Sequence, residues 1–421
     1  MATPDDLSAS GRSAVRLARV ASVAPGLLVA AGAAMFAAIL TAHLRGGAGV
    51  SMDWAPALGV RIDLSLDGLA ALYALLATAI GTLIGAYSAG YLPRHLAHHG
   101  RSAAEAPSFY GFIGLFMVAM VGLAASQDLI LAFLFWDLTT VCSYLLIGYD
   151  RHEPDSRSAA LMALLTTGGS ALLLLVAALT LGLDAGTFAI EPAIANAGES
   201  TATLAAALVA VAALAKSAQV PLHFWLPRAM AAPTPVSAYL HSAALVAAGV
   251  LLLGKLHPLL VRGDVLWLLT AVGAASAVTG AALAFAAREL KQLLAYSTIS
   301  QYGYVTLLLG LGGPYGALGA SLWVFAHALA KSALFLAAGA VMEATGGEQR
   351  LDRLGALRRS MPVVAGAAAL AAASLAGLPL TAGFFKDELL FAAALEEAVW
   401  VLPPRRPARR SPSATRAASG C

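Results

Sequence analysis

The chain has 421 residues, 59% of them hydrophobic and 12% charged, with a formal net charge of +3. A soluble globular domain carries roughly a quarter charged residues, so this composition cannot cover a water-facing surface and excludes an ordinary soluble enzyme. Basic residues are nowhere interleaved with aromatics, so no nucleic-acid partner is read from them. The two cysteines, Cys142 and Cys421, form neither a disulfide framework nor a metal-ligand spacing, and no metal or other cofactor is expected.

Arg12, Arg16 and Arg19 precede an apolar run over 22–44. That run is longer than a signal-peptide core and predicts a retained first membrane helix after an N-terminal tail of 1–21. A span needs about 20 mainly apolar residues. Further spans are then predicted at 67–91, 108–124, 129–148, 159–183, 201–220, 235–257, 265–286, 292–311, 315–343 and 360–382, with a weaker one at 387–402. Continuous runs of this length are not alternating barrel strands, because lipid demands that each span satisfy its own backbone. The expected fold is all-α, a polytopic transmembrane helical bundle.

The sequence holds 21 arginines but only five lysines. Arg94, Arg101, Arg151, Arg157, Arg228, Arg288, Lys291, Arg350, Arg353, Arg358 and Arg359 fall in alternate loops on the side of the N-tail, against Arg45, Arg61 and Arg262 on the other. That bias predicts a cytoplasmic N-tail and a multi-pass protein of the cell (inner) membrane. The stretch 403–421 carries five arginines among proline and serine and reads as a disordered basic tail, or as foreign sequence after a frameshift or truncation.

Ionisable groups at membrane depth are costly, which marks them as functional or tightly partnered. Asp137 stands mid-span in LAFLFWDLTTVCSYLLIG, and Lys216 ends the sixth span. His241 lies early in the next span. His327 and Lys331 are four apart, hence on one helical face. Lys386 follows the eleventh span, and Lys255, Glu289 and Lys291 are further candidates or interface residues. A buried lysine whose acid partner is alternately charged and neutralised can take up and release a proton, so these groups outline a relay. Pro221 and Pro379 break the chain beside Lys216 and Lys386. Dividing the chain at these breaks gives N-terminal helices over 22–107 and two five-helix halves, 108–257 and 265–402. Five spans each makes the halves inverted repeats, the sequence sign of a transport pathway. No nucleotide or catalytic motif is present: Gly249 to Leu256 has phosphate-loop spacing but lacks its Ser or Thr.

The blocks AKSAQVPLHFWLPRAMAAPTPVSAYLHSA, LKQLLAYSTISQYGY, HALAKSALFLAAG and LAGLPLTAGFFKDELL resemble the antiporter-like proton-translocating membrane subunits. That family comprises the large subunits of respiratory complex I and the large subunit of Mrp-type sodium/proton antiporters. The DWAPALGVRIDLSLDGL and FWDLTTVCSYLLIG segments tilt the resemblance toward the Mrp type. The resemblance implies that Asp137 pairs with Lys216, that His241 leads inward, that His327 and Lys331 form a central axis, and that Lys386 ends the second channel. It implies a proton-translocating subunit of a multisubunit Na+/H+ antiporter, working with other membrane subunits, lipid, protons and sodium. A proton-pumping subunit of NADH-quinone oxidoreductase or a membrane hydrogenase, and a truncated remnant, are the competing readings. The chain departs from the family pattern at Asp137 (usually glutamate), Arg228, Ala231, Trp323 (often histidine) and the residue before Lys386 (usually serine).

Overall fold

The structure, a computed structural model, describes residues 4–56 and 59–397, with side chains over 22–56 and 59–396. The basic stretch 403–421 and the end of the weak 387–402 span lie outside the described residues. The chain opens with α1 (Pro4–Leu44), a hairpin β1 (Gly49–Ala55) and β2 (Val60–Ser65), then α2 (Gly68–His98), α3 (Ala106–Ala125), α4 (Leu129–Ile147) and α5 (Pro154–Ala185). Next come α6 (Ile190–Asn196), α7 (Glu199–Lys216), α8 (Trp225–Arg228), α9 (Thr234–Ser242), α10 (Leu245–Lys255) and α11 (His257–Arg262). The last described elements are α12 (Leu266–Ala286), α13 (Leu290–Leu311), α14 (Gly313–Ala344), α15 (Leu357–Ser360), α16 (Pro362–Leu375) and α17 (Ala382–Glu397). Among the described residues, nine helices are long and apolar enough to cross a membrane. The fold is a polytopic membrane helical bundle.

One short hairpin joins α1 to α2 within this helical fold. The β1–β2 hairpin pairs Gly49 with Ser65 through Asp53 with Arg61, and Arg61 Nε lies 3.1 Å from Asp53 Oδ1. Its second strand, VRIDLS, alternates apolar and polar residues, the period of a strand rather than a helix. Two span ends also move. The sixth span stops at Lys216, with Ala218 at φ +53°, and the eleventh stops at Leu375, with Gly377 at φ +71°. Positive φ cannot continue a right-handed helix, so each helix ends before its proline.

The loops sort onto two faces. On one, Arg101 joins Asp150, Leu351 N donates to Arg288 O at 2.9 Å, and Lys291 reaches the 230–232 turn. On the other, Gln127 N donates to Asp63 O at 2.8 Å, Leu129 N to Phe188 O at 2.8 Å, and Arg262 to Ala195 O at 3.2 Å. These groupings match the alternate loops in which basic residues concentrate.

Asp128 shows how sequence sets a helix start here. Its carboxylate accepts from Ile130 N at 2.9 Å and Leu131 N at 3.1 Å, satisfying two amides that open α4. Asp128→Ala is expected to cost about 1 kcal/mol of stability, read as a lower unfolding midpoint in detergent.

Candidate functional site

Lys216, at the end of α7, is fully buried. Its Nζ donates to Trp136 O at 2.8 Å and Thr140 Oγ1 at 3.0 Å, and lies 4.2 Å from the Trp136 ring centroid. Residues 136 and 140 share one face of α4, and residue 137 is rotated about 100° from it. Asp137 is accordingly half-buried and forms no ion pair with Lys216, correcting the expected direct pairing. The aspartate's charge still acts on the lysine through space.

The next stretch is broken in mid-span. α9 ends at Ser242 and α10 begins at Leu245, although every residue in the apolar window of Thr234–Lys255 is buried. His241 occupies the last turn of α9, fully buried, and neither ring nitrogen has a hydrogen-bond partner within the protein. Its backbone carbonyl lies 3.3 Å from His327 Nε2 on α14, so the chain break and the next titratable group meet. Tyr302 Oη donates to Ser242 O at 3.2 Å and steadies the same break.

One turn beyond His327, Lys331 is fully buried and donates to Leu294 O at 2.8 Å and to the Ser297 hydroxyl. Lys291, at the start of α13, is also buried and donates to Met230 O at 2.6 Å and Ala232 O at 2.7 Å. It is therefore no interface lysine: the 217–233 turn folds over it and supplies two carbonyls. Glu289, just before α13, is half-buried and acts electrostatically on Arg350, away from this line of groups.

Lys386 sits on α17 rather than in a loop, buried, with Nζ 2.6 Å from Asp387 Oδ1 and 3.9 Å from the Trp323 ring centroid. Trp323 Nε1 in turn donates to Gln301 Oε1 at 2.9 Å. Lys255 lies on the opposite face, where Nζ donates to Ala124 O at 2.7 Å beside a cavity of about 430 Å³ that also reaches Asp67 and Glu191. Pro221 and Pro379 fall in the gaps after α7 and α16.

The structure thus brings together His241, His327, Lys331 and Lys291 through α9, α13 and α14, while Lys216 meets α4 and Lys386 meets Trp323 on α14. It also shows a cluster that the sequence did not single out. His95 Nε2 lies 3.0 and 3.1 Å from the two oxygens of Asp150, Arg101 Nη1 lies 2.6 Å from Asp150 Oδ1, and Arg101 Nη2 lies 2.6 Å from Glu105 Oε2. Burial alone would raise the Asp150 pKa, but the hydrogen bond from His95 and the charges of His95, His99 and Arg101 hold it below its ordinary value. The only sequence signal was the four-residue spacing of His95 and His99, which puts both on one face at the end of α2.

Comparison with known proteins agrees with this architecture. The family model described as "NADH:quinone oxidoreductase/Mrp antiporter, TM" matches residues 126–403, more than half of the chain. The chain is 40% identical over 351 residues to a probable K(+)/H(+) antiporter subunit of Rhizobium meliloti (strain 1021), covering 82% of this chain and 34% of that protein. It is 37% identical over 364 residues to a Na(+)/H(+) antiporter subunit of Alkalihalophilus pseudofirmus, covering 82% and 44%. The chain therefore spans less than half the length of these relatives. Among solved structures it resembles a chain of the Mrp complex from Dietzia sp. DQ12-45-1b, with a TM-score of 0.78 and 37% identity over 91% of this chain and 43% of that one. It also resembles a chain of respiratory complex I from Thermus thermophilus, with a TM-score of 0.78 and 27% identity over 90% and 82%. The chain belongs to the transmembrane family shared by NADH:quinone oxidoreductases and Mrp antiporters.

Proposed function

We propose that the chain is a proton-translocating subunit of a multisubunit monovalent cation/proton antiporter of the cell membrane, exchanging protons for sodium. One observation carries this reading: the buried, unpaired His241 ring lies at a mid-span helix break, with its carbonyl against His327 and Lys331 one turn beyond. Broken helices at membrane depth are tolerated where they line a polar path, and buried titratable groups there mark proton routes. Lys216 feeds the line from α7 under the field of Asp137, and Lys291 and Lys331 continue it. Lys386 with Asp387 ends the branch in the second half. The halves 108–257 and 265–402 act as inverted half-channels, a reading supported by the helix breaks after α7 and α16. The basic loop face, including the N-tail, lies in the cytoplasm, and the other subunits pack against the apolar outer helices. Two antiporter proteins that share 37–40% identity with the chain support the antiport reading, one carrying sodium and one potassium in its name.

The test uses vesicles holding the complete assembly with an imposed pH gradient. Adding sodium is expected to dissipate the gradient, and Lys331→Met to slow this at least about tenfold without loss of assembly. A Lys331→Met rate equal to wild type would reject the relay, and no response to sodium would reject sodium exchange. A second reading, a pump subunit of a redox complex, rests on the likeness to the Thermus thermophilus chain over 82% of that chain. Co-purification with NADH-oxidising subunits would establish it instead.

A further inference from the structure

The α2 helix runs 31 residues, about 46 Å at 1.5 Å per residue, against a hydrocarbon core of about 30 Å. Its final turn therefore stands clear of the core, on the face that holds the basic loops. There, a ligand nitrogen from His95, one from His99 and a carboxylate oxygen of Asp150 all lie within 4.8 Å of one another. A second observation is independent of that distance. The cluster opens into a cavity of about 210 Å³ lined by His99, Arg101, Glu105, Asp150, His152 and Glu153, which gives access from solvent and further donors. His95 is also oriented for the role. Its Nδ1 lies 3.3 Å from Tyr91 Oη, and its Nε2 faces Asp150. A polar contact on one ring nitrogen that aims the other is the usual setting of a metal-binding imidazole. Two imidazoles and one carboxylate suit zinc and its neighbours rather than magnesium or calcium.

Behind the cluster runs a polar path. Tyr91 stacks on His95 with ring centroids 5.4 Å apart, and its hydroxyl accepts from Thr234 N at 3.4 Å. Thr234, Ser237 and His241 follow at spacings of three and four on α9, hence on one face. Ser237 Oγ and the His241 ring nitrogens are buried without a protein partner, as polar atoms lining a wet route would be.

We propose that His95, His99 and Asp150 form a binding site for a divalent transition-metal ion of the zinc class, at the mouth of the path to His241, and that its occupancy closes that path. The metal takes Asp150 from Arg101, which keeps its second contact with Glu105. The binding half stands on geometry alone. The closing half rests on the proton-transport reading above.

Zinc chloride is titrated into the complete purified assembly by calorimetry, and proton movement is then followed in vesicles with and without zinc. One saturable site per chain is expected, weakened more than about tenfold by His99→Gln and by Asp150→Asn, since losing even a residue that only supports a ligand costs that much. Zinc is expected to slow proton movement reversibly, with EDTA restoring it and His99→Gln lowering the ratio of the two rates. Because His99 is exposed, its replacement does not test folding. Equal zinc affinity in wild type and both variants would overturn the site. Binding without any slowing would overturn the closure, and because calorimetry needs no transport, a failed antiport assay leaves the binding result readable.

Discussion

Lys216→Ala is expected to lower proton movement by on the order of a hundredfold or more, the scale lost when a positioned proton donor is removed. The assembly should still form, because Lys216 meets Trp136 O and Thr140 rather than anchoring a contact between subunits. The informative partner is Lys216→Arg. Arginine keeps the positive charge and can donate to the same carbonyl, but it does not release its proton in proteins. If Lys216 merely balanced the Asp137 charge, arginine would restore the rate. If it hands on a proton, arginine and alanine should fail together. Vesicle acidification rates for both variants, normalised to assembled complex, decide the point, and rescue by arginine would refute the proton-transfer role.

Gly303→Leu is expected to cost about 3 kcal/mol or more of stability, at the upper end of overpacking effects, because the neighbours it meets are backbone. A Cβ at Gly303 would lie 2.5 Å from Ala277 N and 2.8 Å from Gly273 O, and one at Gly310 would lie 2.5 Å from Thr270 N. α12 and α13 thus touch backbone to backbone along Gly273, Ala277 and Gly280 on one side and Gly303 and Gly310 on the other. Small residues at such spacings are what lets membrane helices approach this closely. The pair also holds α13, and with it Lys291 and the Lys331 contacts, in position. The measurement is the thermal midpoint in detergent, with Gly169→Leu on α5 as the control. Nothing lies within 4 Å of a Cβ there, so the control should shift the midpoint little.

Much of the fold was legible because lipid writes a simple rule into sequence: apolar runs of fixed length, with basic residues in alternate loops. The rule locates apolar spans, of which it gave 11 or 12 against nine long and apolar enough among the described residues, and says little about what happens inside one. The break between Ser242 and Leu245 carries no proline or glycine in SAALV, so nothing in those residues announced it. The opposite error came at α7 and α16, where apolar residues continue past the last helical turn. Lys216, His327 and Lys331 stood out because charge is rare at that depth. The partner of Lys216 did not, since a backbone carbonyl has no sequence signature. The hairpin alternation in VRIDLS was readable but short beside the spans around it. His95 and Asp150 were obscured by their position at a loop face, where charged residues are ordinary.

The complete burial of residues 234–253 also constrains how the chain is made. Tyr239 Oη is held by Ala77 O on α2, but the partners of His241 and Ser242 lie on α13 and α14, which are synthesised later. Until residue 344 or so has entered the bilayer, the His241 and Ser242 carbonyls at the helix break lack the groups that later meet them. The half-made protein is therefore most vulnerable between these two moments.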